Sequence, residues 1–462
     1  MTEKDNYTAS NEIIELYLNN KAIYEEGCPE FMNTARHRSF EKFQYHGIPS
    51  RKNESYKYTD LRPVFQNDFQ VLPRYVNHSV DLHSIFRCNV PQLNTHLVLL
   101  INGWYYRKNQ KIDQLPDGVI VGSLNQIANE HPQLIDNYYN QLAGESSDPI
   151  ANLNTTLAKD GLFFFIPDNT IIEKPVQIIN LMFSPSNTFA NQRNLFIIGK
   201  NSEATVVFCD HTLNHNYYIL NNVSECYLNS DARFNFCTIQ NQHNGAVNLT
   251  HFFSSLSTNS QLNTNALILN GGLVRNTHNI VLNSEHAQAN LHGLALADEN
   301  QHVDNSVVVE HRFPNGTSNQ RYKYILDEQS SGSFTGQIHV FPDAQKTEAY
   351  QKNNNILLSD QAEMNTKPLL IIHADDVRCS HGATVGIIDE DALFYLRTRG
   401  IGEEEARLMI LYAFADEIIA EINVPVLRER MEELVDKRLR GELSPCQRCA
   451  LTCAHEPLSR SS

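Results

Sequence analysis

The spacing of apolar residues divides the chain into three parts. Apolar positions at helical intervals, such as Ile13 with Leu16 and Phe40 with Phe43, predict helices within residues 10–46. From Gly161 to Gly386 short β-rich runs follow one another, and a helical pattern returns afterwards. We therefore predict an N-terminal helical region, an entry region of mixed structure, a β core, a C-terminal helical domain and a tail. Their bounds are 1–78, 79–160, 161–388, 389–441 and 442–462.

The central part has many short strands, and their starts lie roughly 9 to 19 residues apart after a first, wider gap. The runs are Thr205–Phe208, Arg233–Ile239, Val247–Phe253, Ala266–Leu269, Ile280–Leu282, Ala289–Leu296, Val307–Val309, Tyr322–Leu326 and Phe334–Val340. This pattern suits a sandwich, a barrel or a β-solenoid. Hairpin signals of the Asn-Gly kind are few, which favours the solenoid without deciding the matter.

The segment after Gly386 carries clear signals for helix ends. Asp389 is a natural N-cap, Gly400 suits the residue after a last turn, and Pro425 suits a first turn. The helix between Gly400 and Pro425 has two apolar stripes, and a helix apolar on two faces must be covered on two sides. The second stripe contains Leu408, Leu411, Tyr412, Ala415 and Ile419. The sequence leaves this stripe either internal or available to a partner.

Composition narrows the class of protein. The chain has 462 residues and a net charge of −16, which argues against nucleic acid as its main partner. Its apolar stretches are too short to cross a bilayer, and no secretory signal follows Met1. We therefore expect a cytoplasmic protein that uses neither membrane nor nucleic acid. Its nine cysteines should be reduced there.

The string DDVRCSHGATVG from Asp375 to Gly386 follows an apolar run and carries the most specific candidate chemistry. In an extended chain Cys379 and His381 lie on one face, and Ser380 lies on the other. A thiol and an imidazole side by side are potential metal ligands, although metal sites normally need three or four. From the spacing alone, a half-buried cysteine beside a hydrogen-bonded histidine explains the pair as well.

Longer segments around this string carry a resemblance to a known family. They are FTGQIHVFPDAQKTEAYQKNNNILLS from Phe334, ALFYLRTRGIGEEEARLMILYAFADEII from Ala392 and GIPSRKNESYKYTDL from Gly47. Together with CSHGATVG they resemble the SufD family of iron–sulfur cluster assembly proteins, from about Gly47 to Leu439. The paralogous SufB proteins carry an E-H-E-A-T pattern where this chain has Cys379 to Thr384, so the resemblance is to SufD.

The resemblance implies a mainly β fold with a right-handed parallel β-helix core between N-terminal and C-terminal α-helical regions. It implies a non-catalytic scaffold subunit of a SufBCD-type complex, whose C-terminal helices hold the ATPase SufC and whose β-helix edge meets SufB. His381 is then the residue implicated in cluster assembly at the SufB interface, with Cys379 as a weaker candidate. The cluster would be transient and shared with SufB, with no cofactor bound tightly by this chain alone. A flavin on the complex and a homodimer of the isolated chain stay open.

A dependence on an external ATPase agrees with the absence of a phosphate-binding G-x-x-x-x-G-K-[ST] motif. Gly199-Lys200-Asn201 is the nearest match, and it lacks both the earlier glycine and the hydroxyl. With the resemblance taken into account, we predict that the stripe containing Leu408 and Leu411 docks this ATPase.

The tail PCQRCALTCAHEP contains Cys446, Cys449, Cys453 and His455, which could hold zinc or an iron–sulfur cluster. The tail lies beyond the segment that carries the resemblance, so no role transfers to it. A mobile tail with reduced thiols is the alternative interpretation.

Two other functions are alternatives for a chain of this pattern: a polysaccharide enzyme and a metal-binding protein. A β-solenoid enzyme acting on polysaccharide would be expected to have a signal peptide and a carboxylate cluster, and neither is evident. A stand-alone metal-binding protein would have to use the histidines of the central part, which whole strands separate. Those residues are His278, His286, His292, His302, His311 and His339.

Overall fold

The computed structural model describes residues 3–76, 95–106 and 115–443. In this part of the chain, two long sheets of mostly parallel strands face each other. Their strands are β1 Gln70–Val71, β2 His96–Ile101, β3 Trp104–Tyr105, β4 Ile120–Ser123, β5 Leu162–Ile166, β6 Val176–Met182, β7 Thr188–Ile198, β8 Glu203–Thr212, β9 Tyr218–Leu228, β10 Arg233–Asn241, β11 Ala246–Leu256, β12 Gln261–Asn270, β13 Leu273–Leu282, β14 Gln288–Ala297, β15 His302–His311, β16 Thr317–Leu326, β17 Ser331–Val340, β18 Glu348–Leu357, β19 Glu363–Ile372 and β20 Arg378–Gly386.

From β5 onward consecutive strands alternate between the sheets, so each turn of chain supplies one strand to each. The odd-numbered strands β5 to β19 form sheet A, and the even-numbered strands β6 to β20 form sheet B. Each strand pairs in parallel with the strand one turn before and after it, as Val247 does with Ile219 and Leu273. No hairpin joins strands in this arrangement, which confirms a β-solenoid of about eight turns. The space between the sheets, here called the lumen, holds the largest core, with Phe196, Phe234 and Leu291.

The described α-helices lie outside the two sheets. They are α1 Glu3–Glu25, α2 Glu30–His46, α3 Leu124–Glu130, α4 Pro149–Leu157, α5 Glu390–Thr398, α6 Glu403–Ile419 and α7 Pro425–Leu439. Helices α1, α2 and α4 pack on sheet A through a cluster that includes Tyr17, Phe43 and Phe189. Helices α6 and α7 pack on sheet B through a cluster that includes Ile239, Ile418 and Met431. The predicted helical regions at both ends are confirmed.

The end signals of the C-terminal helices are also confirmed. The Asp389 carboxylate accepts from the Ala392 N–H at 2.9 Å, and Gly400 has a φ of 86°, which residues with a Cβ rarely adopt. Pro425 occupies the first turn of α7. None of the described helices is both long and apolar enough to span a membrane.

The strands are longer than the sequence predicted. β18 reads EAYQKNNNIL and β9 reads YILNNVSECYL, and no strand was predicted at either place. Polar residues occupy both faces of these strands, so period-two alternation of apolar and polar residues is absent. They are strands because the paired strands of the neighbouring solenoid turns supply their backbone hydrogen-bond partners.

Candidate functional site

Among the described residues, the solenoid ends in two strands that each pair on one side only, β19 in sheet A and β20 in sheet B; we call this the open end. β20 hydrogen-bonds to β18 along its length and is exposed at nearly every residue. Three apolar side chains at this end are exposed, Leu369 at 37%, Ile372 at 38% and Val385 at 45%. An uncovered strand edge with apolar neighbours is a typical place for another β-structure to add.

Cys379 and His381 lie together on β20. Their register partners on β18 are Ala349 and Gln351, which are both buried, so the two residues share the face that continues the lumen. Ser380 pairs with exposed Tyr350 and lies on the opposite face. Local alternation therefore places the thiol and the imidazole on one face, as the sequence indicated.

The two side chains differ in their surroundings. Cys379 is half-buried against a small apolar cluster with Ile338 and Ala349, and this burial raises the pKa of its thiol. His381 is exposed, and its ring makes no side-chain hydrogen bond to the described residues. An exposed imidazole is available to bind an incoming metal ion, whereas the thiol must first lose its proton.

The described residues do not complete a metal site around this pair. Within residues 3–76, 95–106 and 115–443, no group of three or more histidine, cysteine, aspartate or glutamate residues is placed to hold a metal ion. The tail residues Cys446, Cys449, Cys453 and His455 lie outside the described residues. Their predicted metal site stays a prediction.

The structure corrects the predicted docking stripe on α6. Leu411, Ala415 and Ile419 are 5%, 0% and 0% exposed, because the helix lies flat on sheet B and turns these residues toward it. They belong to the chain's own core. The sequence pattern had two stripes but could not say which one the sheet would cover.

Leu408 and Tyr412 stay accessible, in a groove between α6 and α7 with a volume of about 380 Å³. Met409 also lines this groove and is 45% exposed. The rest of the lining is charged: Glu405, Glu429, Glu432, Glu433, Asp436 and Arg440. This α6–α7 groove therefore combines an apolar floor with a strongly acidic rim.

Two cationic side chains of β16 attach the C-terminal part of α6 and the residues just after it to the sheet, and no sequence motif indicated either contact. The Lys323 ammonium lies 2.7 Å from the Glu417 carboxylate and donates to the Phe414 carbonyl at 2.9 Å. Arg321 pairs with Glu421 at 3.2 Å. The inward side chains of the same strand face the lumen, so β16 contacts both α6 and the interior.

The segment from Gly47 to Leu61 docks on sheet A through buried polar groups. The Tyr56 hydroxyl donates to the Asp148 carboxylate at 2.9 Å, and the Arg275 guanidinium stacks on the Tyr56 ring at 4.1 Å. Burial alone would raise the pKa of Asp148, but His251, Arg275 and Tyr56 together lower it. These contacts attach the N-terminal region to the solenoid.

The lumen contains a chain of buried polar side chains that no motif announced. Asn180 and Asn248 each donate to the Asp210 carboxylate, at 2.8 and 2.9 Å. Further along, Gln240 and Asn276 exchange hydrogen bonds at 3.1 and 3.0 Å. The sequence feature that could have predicted these buried polar contacts is the recurrence of Asn and Gln inside β-rich runs.

Comparison with known proteins covers most of the chain. The family model of the SUF system FeS cluster assembly SufBD core domain matches residues 181–414, and that of the SufBD protein N-terminal region matches residues 7–178. An iron–sulfur cluster assembly SufBD family protein of Synechocystis is 28% identical over 402 residues, which cover 85% of this chain and 87% of that relative. The iron–sulfur cluster assembly protein SufD of Escherichia coli is 26% identical over 411 residues, which cover 86% and 90%. The SufD protein of Bacillus subtilis is 22% identical over 331 residues, which cover 70% and 74%.

Proposed function

The chain belongs to the SufBD family of iron–sulfur cluster assembly proteins, and from this premise we propose that it is the non-catalytic scaffold subunit of a SufBCD-type complex. Its open end joins a SufB-type paralogue, and its C-terminal helices carry a SufC-type ATPase. A nascent cluster, the cargo of the complex, is held transiently between this chain and the paralogue. His381 is the ligand that this chain supplies, and Cys379 assists it.

The observation that carries this proposal is the position of His381. An exposed imidazole without a side-chain hydrogen bond to the described residues lies on the last strand of a solenoid, beside an uncovered strand edge. A partner that adds a strand to β20 places its own side chains next to His381. Incomplete ligation by this chain suits a transient cluster, because bonds to the partner can break on release.

The α6–α7 groove supports the second contact. Its apolar floor accepts an apolar side chain of the ATPase, and its acidic rim favours a basic surface around that side chain. Because ion pairs attach Glu417 of α6 and Glu421, just beyond the helix, to β16, movement of the bound ATPase is passed to the sheet that ends in β20.

The experiment expresses this chain with its ATPase and paralogue, and purifies the complex without oxygen. His381→Ala should leave the complex assembled and reduce its iron and sulfide content at least about tenfold, whereas Cys379→Ala should cause a smaller loss. Ser380→Ala is the matched control, since Ser380 is an exposed neighbour on the opposite face. A His381→Ala complex that builds clusters at the normal rate would show that this histidine is structural.

A further inference from the structure

We propose that Gln351 is a positioning residue for His381, whose Oε1 accepts the N–H of the His381 ring and thereby decides which ring nitrogen is free to bind the cluster. This inference rests on the proposed function for its purpose. The hydrogen bond itself can be tested without any cluster.

The register of β18 and β20 brings the two side chains together. Gln351 is the Cα register partner of His381, so the two side chains leave neighbouring strands, about 4.8 Å apart, on the same face. Gln351 is 3% exposed. It is therefore the polar side chain directly beneath His381 in the stack of the lumen.

One hydrogen-bonding atom of the Gln351 side chain has no partner among the described residues. Its Nε2 donates to Gln320 Oε1 at 3.2 Å, while Gln351 Oε1 and Gln320 Nε2 are buried without a partner in the described part of the chain. A buried acceptor left unpaired costs about 1–3 kcal/mol. An unpaired acceptor and an imidazole that lacks a side-chain hydrogen bond thus occupy adjacent register positions.

A glycine on the opposite sheet leaves the space that the Gln351 amide occupies. Gly336 on β17 faces the lumen, and a Cβ built there would lie 1.4 Å from Gln351 Nε2. The amide therefore fills the space that a side chain at position 336 would need. Any larger residue at 336 must displace it.

The chemistry explains why a histidine ligand needs such a neighbour. A neutral imidazole binds metal through one nitrogen and carries a proton on the other, and the hydrogen bond made by that second nitrogen selects the tautomer and the ring orientation. A carboxamide oxygen accepts this bond at any pH, because it does not titrate. Gln351 is thereby suited to hold His381 ready before the partner arrives.

The test compares Gln351→Met, which keeps the size and removes the acceptor, with Gln351→Glu, which keeps an acceptor. The buried Gln320 amide can rotate to donate to the new carboxylate. Nitrogen-15 spectra of the histidine-labelled full chain report the tautomer of each ring, and the signal missing from a His381→Asn variant identifies His381. We expect a single His381 tautomer in the wild type, a mixture in Gln351→Met, and a single tautomer again in Gln351→Glu.

A second route avoids changing Gln351. Gly336→Ala should displace the amide and give the same tautomer mixture as Gln351→Met. Gly332→Ala is the matched control on the same strand and face, since its Cβ would instead meet Met364 Sδ, Leu326 and Tyr324. An unchanged tautomer in both Gln351→Met and Gly336→Ala would overturn the inference.

Measuring the cluster content of the purified complex distinguishes failure of this inference from failure of the proposed function. In the purified complex, Gln351→Met should lower cluster content about tenfold, as loss of a ligand's hydrogen-bond partner typically does. If His381→Ala has no effect on cluster content, the proposed function fails, whatever the spectra show. If His381→Ala abolishes clusters while Gln351→Met changes neither tautomer nor content, only the inference about Gln351 fails.

Discussion

At the scale of single residues, the lumen holds titratable groups where an all-apolar core would be simpler. Asp210 is 3% exposed and accepts hydrogen bonds from two asparagine amides. Burial raises the pKa of Asp210 to about 6, although the amides of Asn180 and Asn248 oppose that rise. The native chain therefore binds this proton more tightly than the unfolded chain does.

This difference in proton affinity between the folded and unfolded chain determines whether stability rises or falls with pH. The contribution of Asp210 to stability is fully present below its ordinary pKa of 3.8, and it is lost as the pH rises through about 6. The loss amounts to about 3 kcal/mol, at 1.36 kcal/mol for each unit between the two pKa values. Asp210→Asn should therefore gain about 3 kcal/mol of unfolding free energy relative to the wild type between pH 4 and pH 7.

Urea unfolding at a series of pH values measures this gain, with Asp231→Asn as an exposed control. Asp231 has a φ of 62°, which asparagine also adopts readily, so the control substitution should keep the backbone. Parallel stability curves for wild type and Asp210→Asn would contradict the assignment of a raised pKa.

At the scale of elements, the parts that could be predicted are those with local causes. The N-cap at Asp389, the glycine at 400 and the proline at 425 act within a few residues, and each was found where the sequence indicated. The lengths of β9 and β18 were not predictable from pattern, because neighbouring turns supply their hydrogen bonds. The orientation of α6 was not predictable either, since it depends on Lys323 and Arg321, far away in the sequence.

The corrected orientation of α6 leads to a specific prediction for ATPase docking. Leu408→Arg should abolish co-purification of the ATPase, because the arginine fills the α6–α7 groove and repels a basic partner. The acidic rim can pair with that arginine, so the fold should be kept. Leu411→Arg should instead destabilise the chain by about 3 kcal/mol or more, since it buries an unpaired charge.

Ala413→Arg provides the matched control for the docking test. Ala413 is exposed on the same helix and does not line the groove. Co-purification with the ATPase and circular dichroism are the measurements. Retention of the ATPase by a folded Leu408→Arg variant would place the docking surface elsewhere.

At the scale of the whole molecule, the solenoid keeps the two proposed contact sites apart. The outer face of sheet B carries the α6–α7 groove, and the open end carries His381 and the free edge of β20. Strand spacing alone left sandwich, barrel and solenoid as alternatives, and the resemblance decided among them. The alternation of side chains along a strand predicted that Cys379 and His381 lie on one face. It could not predict that Gln351 lies beneath them, because the local sequence pattern does not determine the register between separate strands.

Buried histidines, inside the lumen and beneath the C-terminal helices, make the whole fold sensitive to acid. His278, His292 and His311 are each less than a tenth exposed, and burial lowers the pKa of each from 6.5 to about 4. Stability from these neutral rings is present above about pH 6.5 and is lost as the pH falls toward 4, by about 3 kcal/mol for each. Three histidines outweigh the opposite trend of Asp210, so the urea midpoint of the wild type should decrease as the pH is lowered from 6.5 to 4.

His311→Gln keeps a polar partner for Ser318, which the ring contacts at 2.8 Å, and removes the titration. It should therefore lessen the fall by about 3 kcal/mol, while His131→Gln at an exposed position should not. An equal fall in wild type and His311→Gln would mean that this ring is not held neutral by burial.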